Sequence, residues 1–156
     1  MIPKELFVKV SGSVFLLPEF INWVAEISIG YKIVICVGGG TQIKHEFMRR
    51  GWDTGKFGPL GRETQQNSEQ YWIAREILED NKKKLEELLR IAGVDNFVVE
   101  IPMINIGKSY RHINGDQYIL AAYLGFHVLY IATLVKRVEA KKQQFAHLSK
   151  IRVKAF

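Results

Sequence analysis

The sequence is poor in cysteine and proline, with one cysteine and four prolines in 156 residues. A single thiol cannot form an internal disulfide, so nothing indicates a fold that depends on an oxidising compartment. Cys36 lies in the apolar run at residues 33–37, where we expect a small buried hydrophobic side chain. At this length we expect a single domain, residues 1–156, with a core of its own.

The sequence also lacks a convincing membrane segment. Residues 119–135 carry no formal charge, but Gly125 divides them into a helix-like part and a part rich in β-branched and aromatic residues. We interpret the run as a helix followed by a strand buried on both faces, not as a membrane span. Lys9 and Pro18 interrupt the apolar N-terminus, which excludes a signal-peptide pattern. The expectation is a cytoplasmic protein with no membrane contact.

The excess of positive charge lies at one end of the chain. Residues 136–156 contain seven lysines and arginines against one glutamate, which accounts for the whole net charge of +6. Such a segment is typical of a solvated surface or of a wall for nucleotide phosphates. No recognition-helix, zinc-finger or stacking-aromatic pattern accompanies the charge, so a nucleic-acid partner is not expected.

Apolar runs alternate with helical patterns along the chain. Strand-like runs at residues 6–10 and 32–37 flank a helix-like segment that Pro18 opens and Gly30 ends. This βαβ pattern predicts two parallel strands with a right-handed crossover. Further strand-like runs lie at residues 97–101, 127–135 and 151–156. The sequence therefore predicts an α/β fold, a three-layer αβα sandwich with a mainly parallel sheet.

A long amphipathic helix is predicted at residues 68–92, capped by Asn67 or Ser68 and ended by Gly93. Its apolar side chains exceed what one domain face needs, which predicts a homo-oligomer, specifically a homodimer through this helix.

Shorter features complete this pattern. Thr41 is expected to cap the helix that follows the triple glycine. Residues 51–63, which are rich in glycine and include Pro59, and residues 102–112 show no regular pattern and are predicted to be irregular.

Three polar segments follow or precede these elements: residues 9–13, 38–41 and 114–116. In a parallel sheet such loops gather at the carboxyl edge of the strands, where open α/β sheets bind ligands. Backbone N–H groups of glycine turns and helix N-termini converge there. They favour an anionic, phosphorylated small molecule or a nucleotide.

Five motifs in order carry a family resemblance: residues 8–13 (VKVSGS), 35–40 (ICVGGG), 112–116 (HINGD), 121–125 (AAYLG) and 131–135 (IATLV). Together they resemble the amino acid kinase superfamily, which includes the N-acetylglutamate, uridylate and isopentenyl phosphate kinases. The resemblance implies a minimal version of that fold. Most of the C-terminal nucleotide lobe would be missing, with residues 136–156 as its basic remnant.

The resemblance also implies roles by position. Lys9 would stabilise charge on a transferred phosphoryl group, and Asp116 would orient the lysines around it. The phosphate- or nucleotide-binding residues that it implies are Gly12, Ser13, Gly38, Gly39, Gly40, Thr41, Asn114 and Thr133. The uridylate kinase branch further implies acceptor contacts from Lys44 and Asp53. The second catalytic lysine of the family would have to be Lys150 or Lys154.

The sequence leaves two functions open. One is a truncated family member that binds a phosphate-bearing ligand or nucleotide without catalysis, which the missing lobe favours. The other is a minimal small-molecule kinase using ATP and Mg²⁺ to phosphorylate a phosphate or carboxylate acceptor, which the retained motifs favour. No metal ligand is assigned in either. The plainer alternatives are a solvated edge-strand lysine at Lys9 and an ordinary helix cap at Asp116.

Overall fold

The structure, a computed structural model, describes residues 3–58, 61–63 and 67–156. Its elements are β1 (Lys4–Val10), α1 (Pro18–Ile27), β2 (Tyr31–Val37), α2 (Gly40–Arg49), β3 (Lys56–Gly58), β4 (Gly61–Glu63), α3 (Ser68–Ile91), β5 (Phe97–Glu100), β6 (Met103–Ile106), β7 (Ser109–His112), α4 (Gly115–Ala122), β8 (Val128–Thr133), α5 (Val138–Gln144) and β9 (Ile151–Ala155). None of the described helices has the length and apolar character needed to span a membrane.

Five strands form the central sheet in the order β5-β2-β1-β8-β9. Every pairing in this sheet is parallel, including that of β1 with β2, which a helical crossover joins. The predicted βαβ unit is therefore confirmed, and so is the predicted α/β class.

Helices cover both faces of the sheet. Successive side chains of β1 point to opposite faces, so this strand contributes to a core on each side. Leu6, Val8 and Val10 point to a core shared with α1 and α3, whereas Phe7 points to a core shared with α4. Cys36 is fully buried in the second core, as expected, and burial raises the pKa of its thiol. The three-layer sandwich predicted from the sequence is confirmed.

The long helix α3 begins and ends where the sequence predicts. Asn67 and Gln70 form a reciprocal capping box at its start, and Gly93 adopts a left-handed φ of 78° just beyond its end. Most of its apolar residues pack within the chain, while Trp72 and Ile91 are exposed. The homodimer through this helix stays a prediction.

The two segments predicted to be irregular contain short hairpins instead. β3 pairs with β4, and β6 pairs with β7, both antiparallel. The second hairpin turns at Gly107 and Lys108, which both have positive φ, as a tight two-residue hairpin turn requires. The prediction that these segments are irregular was therefore wrong. The second hairpin was missed because Lys108 is not a typical turn residue. Pro59 lies outside the described residues.

Thr41 does not cap α2. Gly39 occupies the N-cap position and α2 begins at Gly40, which places Thr41 inside the first turn. Its hydroxyl instead lies 2.9 Å from the Ser13 hydroxyl, so it links α2 to the loop after β1.

Candidate functional site

A cavity of about 400 Å³ lies at the carboxyl edge of the sheet, where the loops after β1 and β2 meet the start of α4. It is lined by ten of the site residues expected from the sequence: Lys9, Gly12, Ser13, Gly38, Gly39, Gly40, Thr41, Lys44, Asp53 and Asn114. Asp116 lies beside it in contact with Lys9. Thr133, at the end of β8, is buried and does not line the cavity.

Three charged side chains meet at the cavity and are called the rim cluster below: Lys9, Asp116 and Lys141. The Lys9 ammonium lies 3.4 Å from one carboxylate oxygen of Asp116, and the Lys141 ammonium donates a hydrogen bond to the other. Lys9 and Asp116 are only 8% and 7% exposed. Lys9 is therefore not the solvated edge-strand lysine considered above, because β1 is the central strand.

The rim cluster keeps the Asp116 carboxyl ionised. Burial acts to raise the pKa of this group, but the charges of Lys9 and Lys141 outweigh it and hold the pKa below its usual value. Burial also lowers the pKa of the Lys141 ammonium, and the nearby Lys9 and Arg137 add to this effect against the attraction of Asp116. One carboxylate shared by two lysines leaves excess positive charge, which a bound anion would balance.

The Lys9 side chain passes close to Gly115, where α4 begins. A methyl group at Gly115 would lie 2.5 Å from Lys9 Cε. The preceding residue, Asn114, caps the helix by accepting a hydrogen bond from the Asp116 N–H at 3.1 Å. The first turn of α4 thus provides the Asp116 carboxylate, and Gly115 leaves room for the Lys9 side chain beside it.

The triple glycine packs against α3 on one side and faces the cavity on the other. A methyl group at Gly39 would meet Leu78 at 2.9 Å and Asn81 at 3.1 Å, whereas at Gly40 it would meet nothing within 4 Å. Asn81 is buried and donates a hydrogen bond to the Gly38 carbonyl. Within the described chain no side chain caps α2, so the first N–H groups of this helix have no side-chain acceptor where the loop lines the cavity.

Lys44 and Asp53, the expected acceptor contacts, also line the cavity. Lys44 is an exposed side chain of α2, and Asp53 accepts a hydrogen bond from the Gly55 N–H at 2.8 Å. Next to them an apolar wall is formed by Ile43, Phe47, Tyr71, Pro102 and Ile113. The lining of the cavity therefore contains both lysine side chains and an apolar wall.

The sequence did not assign Lys141, Arg137 or His112 to this cavity, although all three line it. The basic segment 136–156 was a signal for the first two, but its lysines could not be ranked from the sequence. Burial lowers the pKa of His112 to about 4, so its imidazole is neutral at pH 7.

Neither lysine expected to supply a second ammonium reaches the cavity. Lys150 donates hydrogen bonds to the carbonyls of Tyr123 and Phe126 beyond the end of α4. Lys154 lies 5.7 Å from the Phe156 ring centre, on β9. That expectation is corrected: the second lysine at Asp116 is Lys141, because α5 folds back beside α4 while β9 continues along the sheet edge.

The carboxylates around the cavity do not fit a metal ion held by the protein. Asp116 is engaged by two lysines and Asp53 by a backbone N–H. In the described ranges, no group of three or more His, Cys, Asp or Glu side chains is placed to hold a metal ion.

Comparisons with known proteins do not add a family to this picture. No protein-family model matches the sequence, and no curated protein matches it significantly.

Proposed function

We propose that the cavity at the carboxyl edge of the sheet binds a small phosphate-bearing ligand, such as a nucleotide or a sugar-type phosphate. The observation that carries this proposal is the rim cluster, in which one buried carboxylate faces two lysine ammonium groups. Lys9 and Lys141 orient towards the cavity, and Arg137 adds a third cation to its wall. Phosphate oxygens are the anionic groups that such a set of donors recognises best.

The helix starts support the same ligand. Backbone N–H groups at the start of α2 lie in the loop that lines the cavity, and the partial positive charge of a helix N-terminus attracts phosphate. The apolar wall with Phe47 and Tyr71 supports a ligand that also carries a flat or apolar part.

The size of the cavity supports binding over transfer. Ligand sites span roughly 300–1,000 Å³, and this cavity, at about 400 Å³, is near the small end. It accommodates one small ligand, whereas a kinase must hold a donor and an acceptor together. Binding without catalysis is therefore the first proposal.

A second candidate, a minimal small-molecule kinase, is favoured by one specific observation. Lys9 and Lys141 contact opposite oxygens of Asp116, so the carboxylate positions two cations on one cavity. Phosphoryl transfer depends on such positioning of positive charge. The resemblance to amino acid kinases assigns the orienting role to Asp116. Any Mg²⁺ would have to arrive with the nucleotide, and we derive no step through it.

Calorimetry with inorganic phosphate, UMP and ATP tests the proposal on the wild type and on Lys9→Met. This variant should fold, because Lys141 still neutralises Asp116. We expect at least one probe to bind, and Lys9→Met to bind it at least about tenfold more weakly, since a charge-assisted contact is lost. Lys83→Met, on the exposed side of α3, is the matched control and should leave affinity unchanged.

Two results would overturn the binding proposal: no heat with any of the three probes at millimolar concentration, or equal affinity in wild type and Lys9→Met. A coupled assay of ATP turnover with UMP as acceptor separates the two candidates. Turnover that Lys9→Met abolishes would favour the kinase, and binding without turnover would favour the first proposal.

A further inference from the structure

One edge of the central sheet ends at β9, and no described strand lies beyond it. The Phe156 N–H donates to the Thr133 carbonyl, and the Lys150 carbonyl accepts from the Leu129 N–H, so even-numbered residues here face β8. In a parallel ladder successive residues face opposite neighbours. The backbone N–H and C=O groups of Val153 and Ala155 therefore point to the open side of the sheet.

A second cavity, the α5–β9 groove, runs beside this edge. Its volume is about 340 Å³, and apolar side chains of Phe145, Leu148, Ile151 and Val153 form much of its lining, with Lys142 at its border. The groove lies on the sheet face that holds α4 and α5, because Ile151 packs with Phe145 there. It is separate from the ligand cavity described above, which shares none of these side chains.

The other face of β9 carries two exposed cations, Arg152 and Lys154, called the edge pair below. Each cation lies near an aromatic ring: the Arg152 guanidinium is 5.9 Å from the Tyr130 ring centre, and the Lys154 ammonium is 5.7 Å from that of Phe156. Positions two apart on a strand lie about 6.6 Å from each other. A strand added beside β9 would meet a positive charge at every second residue on this face.

We propose that the open edge of β9 is a docking site for an extended, acidic segment of a partner protein. That segment adds a sixth strand by bonding the outward backbone groups of Val153 and Ala155. Its alternate residues are apolar and enter the α5–β9 groove. Those between them are acidic and face the edge pair. The recognised chemistry is an alternation of apolar and carboxylate side chains.

Charge selects this occupant over a second copy of the chain. Pairing β9 with another β9 would bring Arg152 and Lys154 against like charges, which is how natural proteins discourage edge-to-edge association. Residues 136–156 contain seven basic residues and one glutamate, so this segment carries a net positive charge. An acidic partner would balance that charge. The apolar groove suits the side chains of a peptide better than the polar backbone of a nucleic acid.

The test uses a short capped peptide in which valine and glutamate alternate, titrated into the full chain and followed by fluorescence anisotropy. Val153→Pro removes the outward N–H while leaving the ladder to β8 intact, a position where edge strands tolerate proline. Val153→Thr keeps the N–H and the side-chain shape and is the matched control. We expect wild type and Val153→Thr to bind within a few-fold of each other and Val153→Pro to bind at least about tenfold more weakly.

The double variant Arg152→Gln/Lys154→Gln keeps the test decisive if Val153→Pro fails to fold. It alters only exposed side chains and should also weaken the peptide by at least about tenfold, with added salt weakening the wild-type complex in the same direction. The proposal is overturned if the peptide does not bind at millimolar concentration, or if a lysine-for-glutamate peptide binds equally well. It is also overturned if sedimentation shows a wild-type dimer that Val153→Pro converts to monomers, since the occupant would then be a second copy.

Discussion

The rim cluster and the edge pair use the same kinds of side chain under opposite conditions. Lys9 and Lys141 are held against the Asp116 carboxylate in a nearly buried site, whereas Arg152 and Lys154 stand in solvent on an edge strand. Buried charges are costly to leave unpaired, and exposed ones contribute little to stability. From this contrast we expect burial, and not charge alone, to decide which cations of this molecule stabilise its fold.

The basic segment at residues 136–156 contains both a largely buried lysine and an exposed one. Lys141 and Lys154 both belong to residues 136–156, yet one turns inward to Asp116 and the other outward on β9. The positive charge of this segment is therefore divided between two separate surfaces, the cavity at the carboxyl edge of the sheet and the β9 edge.

The largest effect is expected at Asp116. Asp116→Asn leaves the buried Lys9 and the largely buried Lys141 without a counter-charge. Removing one partner of a buried pair costs about 3–5 kcal/mol. Glu139→Gln is the matched control, because it makes the same change in an exposed pair with Lys142, at 3.5 Å, where about 1 kcal/mol or less is expected. Urea denaturation of both variants measures the difference.

Equal losses in the two variants would contradict this comparison. They would mean that the rim cluster stabilises the fold no more than an exposed ion pair does.

A smaller effect is expected in the triple glycine, which connects the ligand cavity to α3. Gly39→Ala would push on Leu78 and on the buried Asn81, which bonds the Gly38 carbonyl, and overpacking of this kind costs about 1–3 kcal/mol. Gly40→Ala is the adjacent control, since its methyl group meets open space and alanine favours the helix that begins there. Thermal unfolding should show a lower Tm for Gly39→Ala and an equal or higher Tm for Gly40→Ala.

A Gly40→Ala variant destabilised as much as Gly39→Ala would show that the loop needs glycine for its backbone and not for its contact with α3.

Much of the fold is predictable because local signals agree with tertiary packing. Continuous apolar runs indicated β1 and β2, Pro18 marked the start of α1, and Asn67 with Gly93 bounded α3. The hairpin at Gly107 was missed, since Lys108 adopts a positive φ that only the assembled turn imposes.

The candidate site was predictable in part for a related reason. Lys9 lies near the carboxyl end of β1, and Asp116 lies in the first turn of the helix before β8, the strand that pairs with β1. Their positions along the chain were therefore informative. Lys141 was not predictable, because α5 is a short helix without a buried residue and its direction depends on packing against α4. Which of several neighbouring lysines reaches a buried carboxylate is a tertiary property.

The smallest effect on stability is expected at the edge pair. The Arg152→Gln/Lys154→Gln double variant should change the free energy of unfolding by only about 0.5 kcal/mol, since both side chains are exposed. Arg152 donates one hydrogen bond, of 3.3 Å, to the Tyr130 hydroxyl. Lys83→Gln on α3 is the matched control. A loss above about 2 kcal/mol in urea denaturation would mean that these cations hold β9 in the sheet, and the distinction between the two clusters would then fail.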